Sequence, residues 1–169
     1  MEISLVTRVL LLVPWLIQST NIFQRYCGFL LVLKIPASNE YLQQYLLLGG
    51  VSPQPHKLYE SALEAAKKEL LFRPMTKGNH EILISGNSRA TAHQKYELDP
   101  QFQHLVCFVG GMMGIASRIF KQPDDLVTAR KLTEGCIWAY KAMPSGMMPE
   151  LSHVVPCANA SSCEWDERN

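Results

Sequence analysis

The chain has 169 residues, 16 basic and 15 acidic side chains, a formal net charge of +1 and a hydrophobic fraction of 47%. This length predicts one domain at most, and nothing in the near-neutral net charge points to a nucleic-acid or anionic-surface partner. The five cysteines form no CxxC pair and no cluster with zinc-finger spacing, so thiolate metal binding is not expected. An odd number of cysteines leaves at least one thiol free or paired elsewhere.

Two apolar runs, Val9 to Ile17 and Gly28 to Ile35, lie near the N-terminus. Neither reaches the roughly 20 apolar residues that span a bilayer. The first run resembles the core of a signal peptide, but residues 1–8 have no net charge and no clear cleavage site follows. Residues 1–38 are therefore predicted to be an apolar segment. It is a signal peptide or membrane anchor through 9–35, a buried helix, or sequence foreign to the following domain.

Apolar residues that recur every three or four positions predict four helices after residue 38. The predicted helices are 39–48, 56–72, 100–120 and 125–143. Gly49-Gly50 stops the first helix and Pro74 ends the second. Asp99-Pro100 is predicted to open the third helix, with the aspartate as its N-cap.

Shorter features punctuate these helices. The string EILIS (81–85) followed by Gly86-Asn87 predicts a strand and a turn, and the tail from Ser152 is predicted to be irregular. Three glycines inside the third predicted helix indicate close approach of a neighbouring helix, or a kink: Gly110, Gly111 and Gly114. Asp124 or Asp125 is predicted to cap the fourth helix. Its inward stripe is predicted to comprise Leu126, Ala129, Leu132, Cys136, Ala139 and Tyr140.

Cys107 and Cys136 lie about equally far from the short turn between the third and fourth predicted helices. A short connection makes these helices antiparallel neighbours, so each cysteine stands about 21 Å from the turn, at about 1.5 Å per residue. The matched height favours a disulfide, which needs Cα atoms about 5.5 Å apart. Two buried free thiols are the alternative. A disulfide would indicate an oxidising compartment.

Helices that run alternately up and down would gather three polar residues at one end. Glu40 begins the first helix, His104 lies in the first turn of the third, and Glu150 follows the exit of the fourth. Two carboxylates and an imidazole at one rim could line a polar pocket. Each also has an ordinary explanation: a first-turn carboxylate on a helix dipole, a histidine satisfied at the rim, and a solvated glutamate. Asn159-Ala160-Ser161 is an N-glycosylation sequon.

Five strings carry a resemblance to a known family, from about Glu40 to Cys157. They are EYLQQYLLLGG (40–50), AAKKELLFRPM (65–75), LDPQFQHLVCFVGGM (98–112), KLTEGCIWAY (131–140) and SGMMPE (145–150). They resemble fungal class I α-1,2-mannosidases, glycoside hydrolase family 47. The resemblance implies an all-α fold, a partial (α/α)7 barrel with about four barrel helices and a short β-hairpin segment. Residues 39–157 would be a partial catalytic domain and 158–169 a polar tail.

The resemblance also implies a function. Family members hydrolyse terminal α-1,2-linked mannose of high-mannose N-glycans with inversion, bind Ca²⁺, and lie in the endoplasmic reticulum, the Golgi or outside the cell. By resemblance, Cys107 and Cys136 are the family's disulfide, and substrate-binding residues near the terminal mannose are Glu40, His104 and Glu150.

Departures from the family bear on turnover. The position of the family's catalytic aspartate is Pro36, which cannot transfer a proton, and no family calcium ligand is matched. The family's downstream half, which holds another catalytic carboxylate, has no counterpart here. The chain is therefore expected to be an internal, inactive fragment with uncovered apolar flanks. The alternatives are a non-catalytic mannose-glycan-binding module, or a membrane-attached helical interaction protein anchored through 9–35.

Overall fold

The computed structural model describes residues 38–90, 96–159, 163–165 and 167. The helices are α1 (38–47), α2 (Pro53–Glu69), α3 (Phe108–Ile119) and α4 (Pro123–Ala142), and a 3₁₀ turn (His104–Cys107) precedes α3. The short strands are β1 (Leu71–Phe72), β2 (Ile84–Ser85), β3 (Asn87–Ala90), β4 (Tyr96–Asp99), β5 (Gln101–Gln103) and β6 (Leu151–His153). Antiparallel pairs form between β1 and β2, β3 and β4, and β5 and β6. The described part of the chain is therefore mostly helical, as predicted.

The predicted apolar segment 1–38 lies outside the described residues, except for Ser38. In the part that is described, no helix is both long enough and apolar enough to cross a membrane.

The first two helices lie close to their predicted positions. Gly49 and Gly50 have φ values of +65° and +75°, and the Gly50 amide donates to the Tyr45 carbonyl at 2.9 Å, so these glycines end α1 as expected. Helix α2 begins earlier than predicted, because Pro53 fits the first helical position. The predicted end at residue 72 is wrong, since residues 71–72 leave the helix to pair with β2.

The strand predicted over 81–85 is shorter than expected. Only Ile84–Ser85 is a strand, and the predicted turn at Gly86-Asn87 is wrong, because Asn87 begins β3. The Gly86 amide donates to the Leu70 carbonyl at 2.9 Å, which fastens this stretch to the end of α2.

The predicted start of the third helix at Asp99-Pro100 is wrong. Asp99 ends β4, and Gln101–Gln103 forms β5, which pairs with Leu151–His153. The alternation Gln-Phe-Gln explains the strand, because Phe102 alone turns inward and is only 1% exposed. The tail from Ser152, predicted to be irregular, supplies the partner strand.

Helix α4 begins at Pro123, after Gln122 as its N-cap, so the predicted cap at Asp124 or Asp125 is wrong. The two aspartates lie in the first turn, where carboxylates suit the helix dipole. The buried face comprises Asp125, Ala129, Leu132, Gly135 and Ala139. The predicted inward positions of Leu126 and Tyr140 are wrong, since these side chains are 37% and 39% exposed.

Two apolar clusters hold the elements together. The first has members on all four helices and includes Leu42, Tyr59, Leu63, Val109, Met113 and Leu132. The second joins the strands to the end of α4 and includes Phe72, Ile84, Phe102, Ala139 and Met148. The close approach predicted from the glycines of α3 is confirmed at Gly110, where an added Cβ would lie 3.1 Å from the Ala129 carbonyl oxygen. A Cβ at Gly111 would meet no atom within 4 Å.

Candidate functional site

The predicted disulfide between Cys107 and Cys136 is present, with the Cα atoms 5.8 Å apart. Cys107 ends the 3₁₀ turn and Cys136 lies within α4, so the bond ties the entry of α3 to its antiparallel neighbour. A second disulfide joins Cys157 to Cys163, with Cα atoms 5.5 Å apart. Cys27 lies outside the described residues. The equal distances of Cys107 and Cys136 from the turn thus predicted their disulfide correctly.

His104 and Glu150 meet at the end of the β5–β6 ladder. Gln103 pairs with Leu151, and the next amide, that of His104, donates to the Glu150 carbonyl at 2.8 Å. Both side chains are exposed. Of the three polar residues predicted to share one end, His104 and Glu150 are thus adjacent. The pairing of β5 with β6 brings them together.

Tyr140 completes this group. Its hydroxyl oxygen lies 2.6 Å from Nε2 of His104, and the two rings meet edge to face with centroids 5.9 Å apart. His104, Tyr140 and Glu150 are called the rim site from here on. Sequence reasoning placed Tyr140 in the core. A signal for the contact was available in the sequence. Tyr140 lies one helical turn after Cys136 and His104 lies three residues before Cys107, so a disulfide between the cysteines would bring the tyrosine and the histidine near each other.

Glu40 is exposed in the first turn of α1. Among the described residues, no hydrogen bond or ion pair joins it to His104 or Glu150, so its place in the site stays a prediction. Asn159 is exposed, but the other two sequon positions lie outside the described residues, as does Pro36.

The calcium site that the family resemblance implies stays a prediction for this chain. Calcium takes about six to eight oxygen ligands. Within the described ranges, no three His, Cys, Asp or Glu side chains are grouped so that they could hold a metal ion.

A second polar region lies between α2 and the start of α4. A cleft of about 410 Å³ is lined there by Glu60, Leu63, Glu64, Lys67, Lys121, Gln122, Pro123, Asp124 and Asp125. Inside it, Lys67 donates a hydrogen bond to the buried carboxylate of Asp125. Burial raises the pKa of the nearby Tyr59, and the charge of Asp125 adds to that effect. None of the rim-site residues lines this cleft, so we assign the ion pair between Lys67 and Asp125 a structural role.

A family model and several known proteins match this chain, and they all point to the same family. The family model described as Glycosyl hydrolase family 47 matches residues 37–169. The endoplasmic reticulum mannosyl-oligosaccharide 1,2-alpha-mannosidase of Saccharomyces cerevisiae is 30% identical over 129 residues, covering 66% of this chain and 22% of that protein. The protein of the same name from Mus musculus is 27% identical over 144 residues, covering 84% of this chain and 21% of the relative.

A third relative is mannosyl-oligosaccharide alpha-1,2-mannosidase IA of Spodoptera frugiperda. It is 27% identical over 135 residues, covering 76% of this chain and 19% of that protein. The chain thus spans about a fifth of the length of the curated relatives that it matches.

Proposed function

The chain belongs to glycosyl hydrolase family 47, and from this membership we propose that it is part of a mannosyl-oligosaccharide 1,2-α-mannosidase. Such an enzyme would hydrolyse terminal α-1,2-linked mannose of N-glycans. The names of the relatives from yeast, mouse and a moth support this proposal. We further propose that α1 to α4 are one section of an (α/α)7 barrel. The antiparallel packing of α3 against α4 supports that arrangement.

The rim site is the proposed place of mannose recognition. Sugar hydroxyls both donate and accept hydrogen bonds, so they need partners of both kinds. The carboxylate of Glu150 accepts hydrogen bonds, and the imidazole of His104 has one ring nitrogen, Nδ1, outside its contact with Tyr140. The observation that carries the proposal is the bond between the main chains of His104 and Glu150, which makes these two residues with exposed side chains neighbours.

Binding without turnover is the proposed behaviour of the 169-residue polypeptide. Inverting hydrolysis uses two carboxyl groups about 6.5–9.5 Å apart, with a water between them. The rim site supplies the carboxylate of Glu150. By resemblance, Pro36 occupies the position of a proton-transferring aspartate, and its side chain carries no exchangeable proton. Calcium binding by this polypeptide alone is likewise not proposed.

The secretory pathway is the proposed location. Disulfides form and persist in oxidising compartments, and the described residues contain two. Two relatives carry the endoplasmic reticulum in their names. Asn159, the sequon asparagine, is exposed as a glycan acceptor must be.

The test uses α-1,2-mannobiose with calcium present. We expect binding by ligand-observed NMR and no release of free mannose. Glu150→Ala should weaken binding by about 10-fold or more, because a hydrogen bond to a charged group contributes about 1.5–3 kcal/mol. Glu64→Ala removes an exposed glutamate of α2 and is the matched control. Absence of binding to the wild-type chain refutes the recognition proposal, and release of mannose refutes the proposed lack of turnover.

A further inference from the structure

We propose that Tyr140 is a positioning residue that holds the imidazole of His104 in the tautomer protonated at Nδ1. The Tyr140 hydroxyl would donate to Nε2, which leaves Nδ1–H as the donor for a sugar hydroxyl. The tautomer assignment stands on the contact between the two side chains alone. The role in sugar binding rests on the proposed function.

The short separation of Nε2 and the Tyr140 oxygen favours one direction of the hydrogen bond. The two atoms are 2.6 Å apart. N–H donors to oxygen make bonds of about 2.7–3.2 Å, so the separation is shorter than expected if Nε2 were the donor. The distance therefore fits a phenol that donates to an unprotonated ring nitrogen. A proton on Nδ1 is then required, because a neutral imidazole carries one N–H.

The main chain around His104 holds the ring where Tyr140 can reach it. Its amide donates to the Glu150 carbonyl at 2.8 Å. Three residues later, Cys107 is bonded to Cys136, which lies one helical turn before Tyr140. The two partners are thus fixed to each other through a covalent bond that lies close to both of them.

The remaining nitrogen is available to a ligand. Among the described residues, no hydrogen bond engages Nδ1 of His104, and the side chain is exposed. The nitrogen that a histidine presents is set by the hydrogen bond that its other nitrogen makes. Tyr140 would therefore decide whether His104, whose main chain is bonded to that of Glu150, offers a donor or an acceptor. A donor on His104 and the carboxylate of Glu150 together suit the mixed hydrogen bonding of a sugar hydroxyl.

The first experiment measures the tautomer without any sugar. Imidazole ¹⁵N–¹H correlation spectra of the histidine-labelled chain, at mildly alkaline pH, distinguish a protonated from an unprotonated ring nitrogen. We expect Nδ1–H for His104 in the wild-type chain. In Tyr140→Phe we expect a shift towards Nε2–H, the form that an unconstrained imidazole favours in water. Tyr45→Phe is the matched control, because its ring contacts His56 instead, with centroids 5.6 Å apart.

Two results would overturn the assignment: Nε2–H predominating in the wild-type chain, or Tyr140→Phe leaving the His104 signals unchanged. A purely structural Tyr140 would alter thermal unfolding and leave the tautomer as it was. If Tyr140→Phe fails to fold, the wild-type spectrum decides the assignment alone.

The second experiment adds α-1,2-mannobiose. Tyr140→Phe should weaken its binding by about 3- to 10-fold, the effect of one neutral hydrogen bond, whereas Tyr45→Phe should leave it unchanged. Equal binding to wild type and Tyr140→Phe refutes the link to recognition. Absence of sugar binding in the wild type refutes the proposed function instead, and the tautomer measurement still stands by itself.

Discussion

The main chain at Leu83 lies directly against Gly135 of α4. The Leu83 amide donates to the Lys131 carbonyl at 3.1 Å, and a Cβ added to Gly135 would overlap the Leu83 carbonyl oxygen and lie 3.0 Å from Cγ2 of Ile84. The stretch leading into β2 therefore crosses α4 at a position that has room only for a hydrogen atom.

Gly135→Ala should destabilise the chain despite the better helix propensity of alanine. Overpacking of this kind costs about 1–3 kcal/mol. Gly111→Ala is the control on α3, where the added methyl group meets nothing, and it should stabilise by about 0.5–1 kcal/mol. Urea denaturation of both variants gives the two free energies of unfolding. If both alanine variants raised the free energy of unfolding by the same amount, the close contact between Leu83 and Gly135 would be contradicted.

The two disulfides should contribute unequally to stability. The Cys107–Cys136 bond closes a sequence separation of 29 residues, and the Cys157–Cys163 bond one of 6. Loop-closure entropy then predicts a loss of about 3.5 kcal/mol when the first pair is replaced by serine and about 2 kcal/mol for the second. Urea midpoints and slopes of the two double-serine variants measure these losses. A larger loss from the shorter loop would refute this ordering.

The ion pair between Lys67 and Asp125 links α2 to α4. The side chain of Asp125 is 6% exposed and that of Lys67 is 35% exposed. Lys67→Met should cost about 2 kcal/mol, below the 3–5 kcal/mol for a fully buried pair, because solvent screens the lysine. Lys68→Met, at an exposed pair with Glu69, should cost less than about 1 kcal/mol. Thermal unfolding of both variants is the measurement, and equal losses would contradict a special role for Asp125.

Tyr59 should make the chain lose stability at high pH. Burial, with a contribution from Asp125, raises the pKa of its phenol above the ordinary value of 10.0. Above pH 10 the unfolded chain gives up this proton while the folded chain keeps it, so the free energy of unfolding falls as pH rises. The Tyr59 hydroxyl has no hydrogen-bond partner among the described groups. Tyr59→Phe should therefore change stability at neutral pH by less than about 1 kcal/mol.

The variant should also lose stability less steeply than the wild type in alkaline solution. Denaturation curves at several alkaline pH values provide the comparison. The same slope in Tyr59→Phe and wild type would show that the alkaline effect originates elsewhere.

Local sequence patterns predicted the helices and could not predict the ladders. The end of α1 at Gly49-Gly50 depends on neighbouring residues alone. The equal heights of Cys107 and Cys136 follow from counting residues along two helices of known rise. The strand at Gln101–Gln103 depends on Leu151–His153, which lies beyond two helices along the chain. Without that partner, the Asp-Pro dipeptide before it gave a stronger signal for a helix start.

The rim site was half predicted for the same reason. Up-and-down packing predicted His104 and Glu150 at one end, and the structure makes them neighbours for another reason, a main-chain bond at the end of a strand pair. Tyr140 was missed because an aromatic residue at helical spacing is usually in the core. Here the buried stripe of α4 runs through Gly135 and Ala139, and Tyr140 falls beside it.

The turn at Lys121 lies at the opposite end of the α3–α4 hairpin from the disulfide that closes its base. Lys121 is exposed and holds a positive φ of 56°. A fluorescent label or affinity handle inserted there would be carried well away from His104 and Glu150. The hairpin thus offers an attachment point through which the proposed sugar binding could be tested on a surface or by single-molecule imaging, with the rim site left undisturbed.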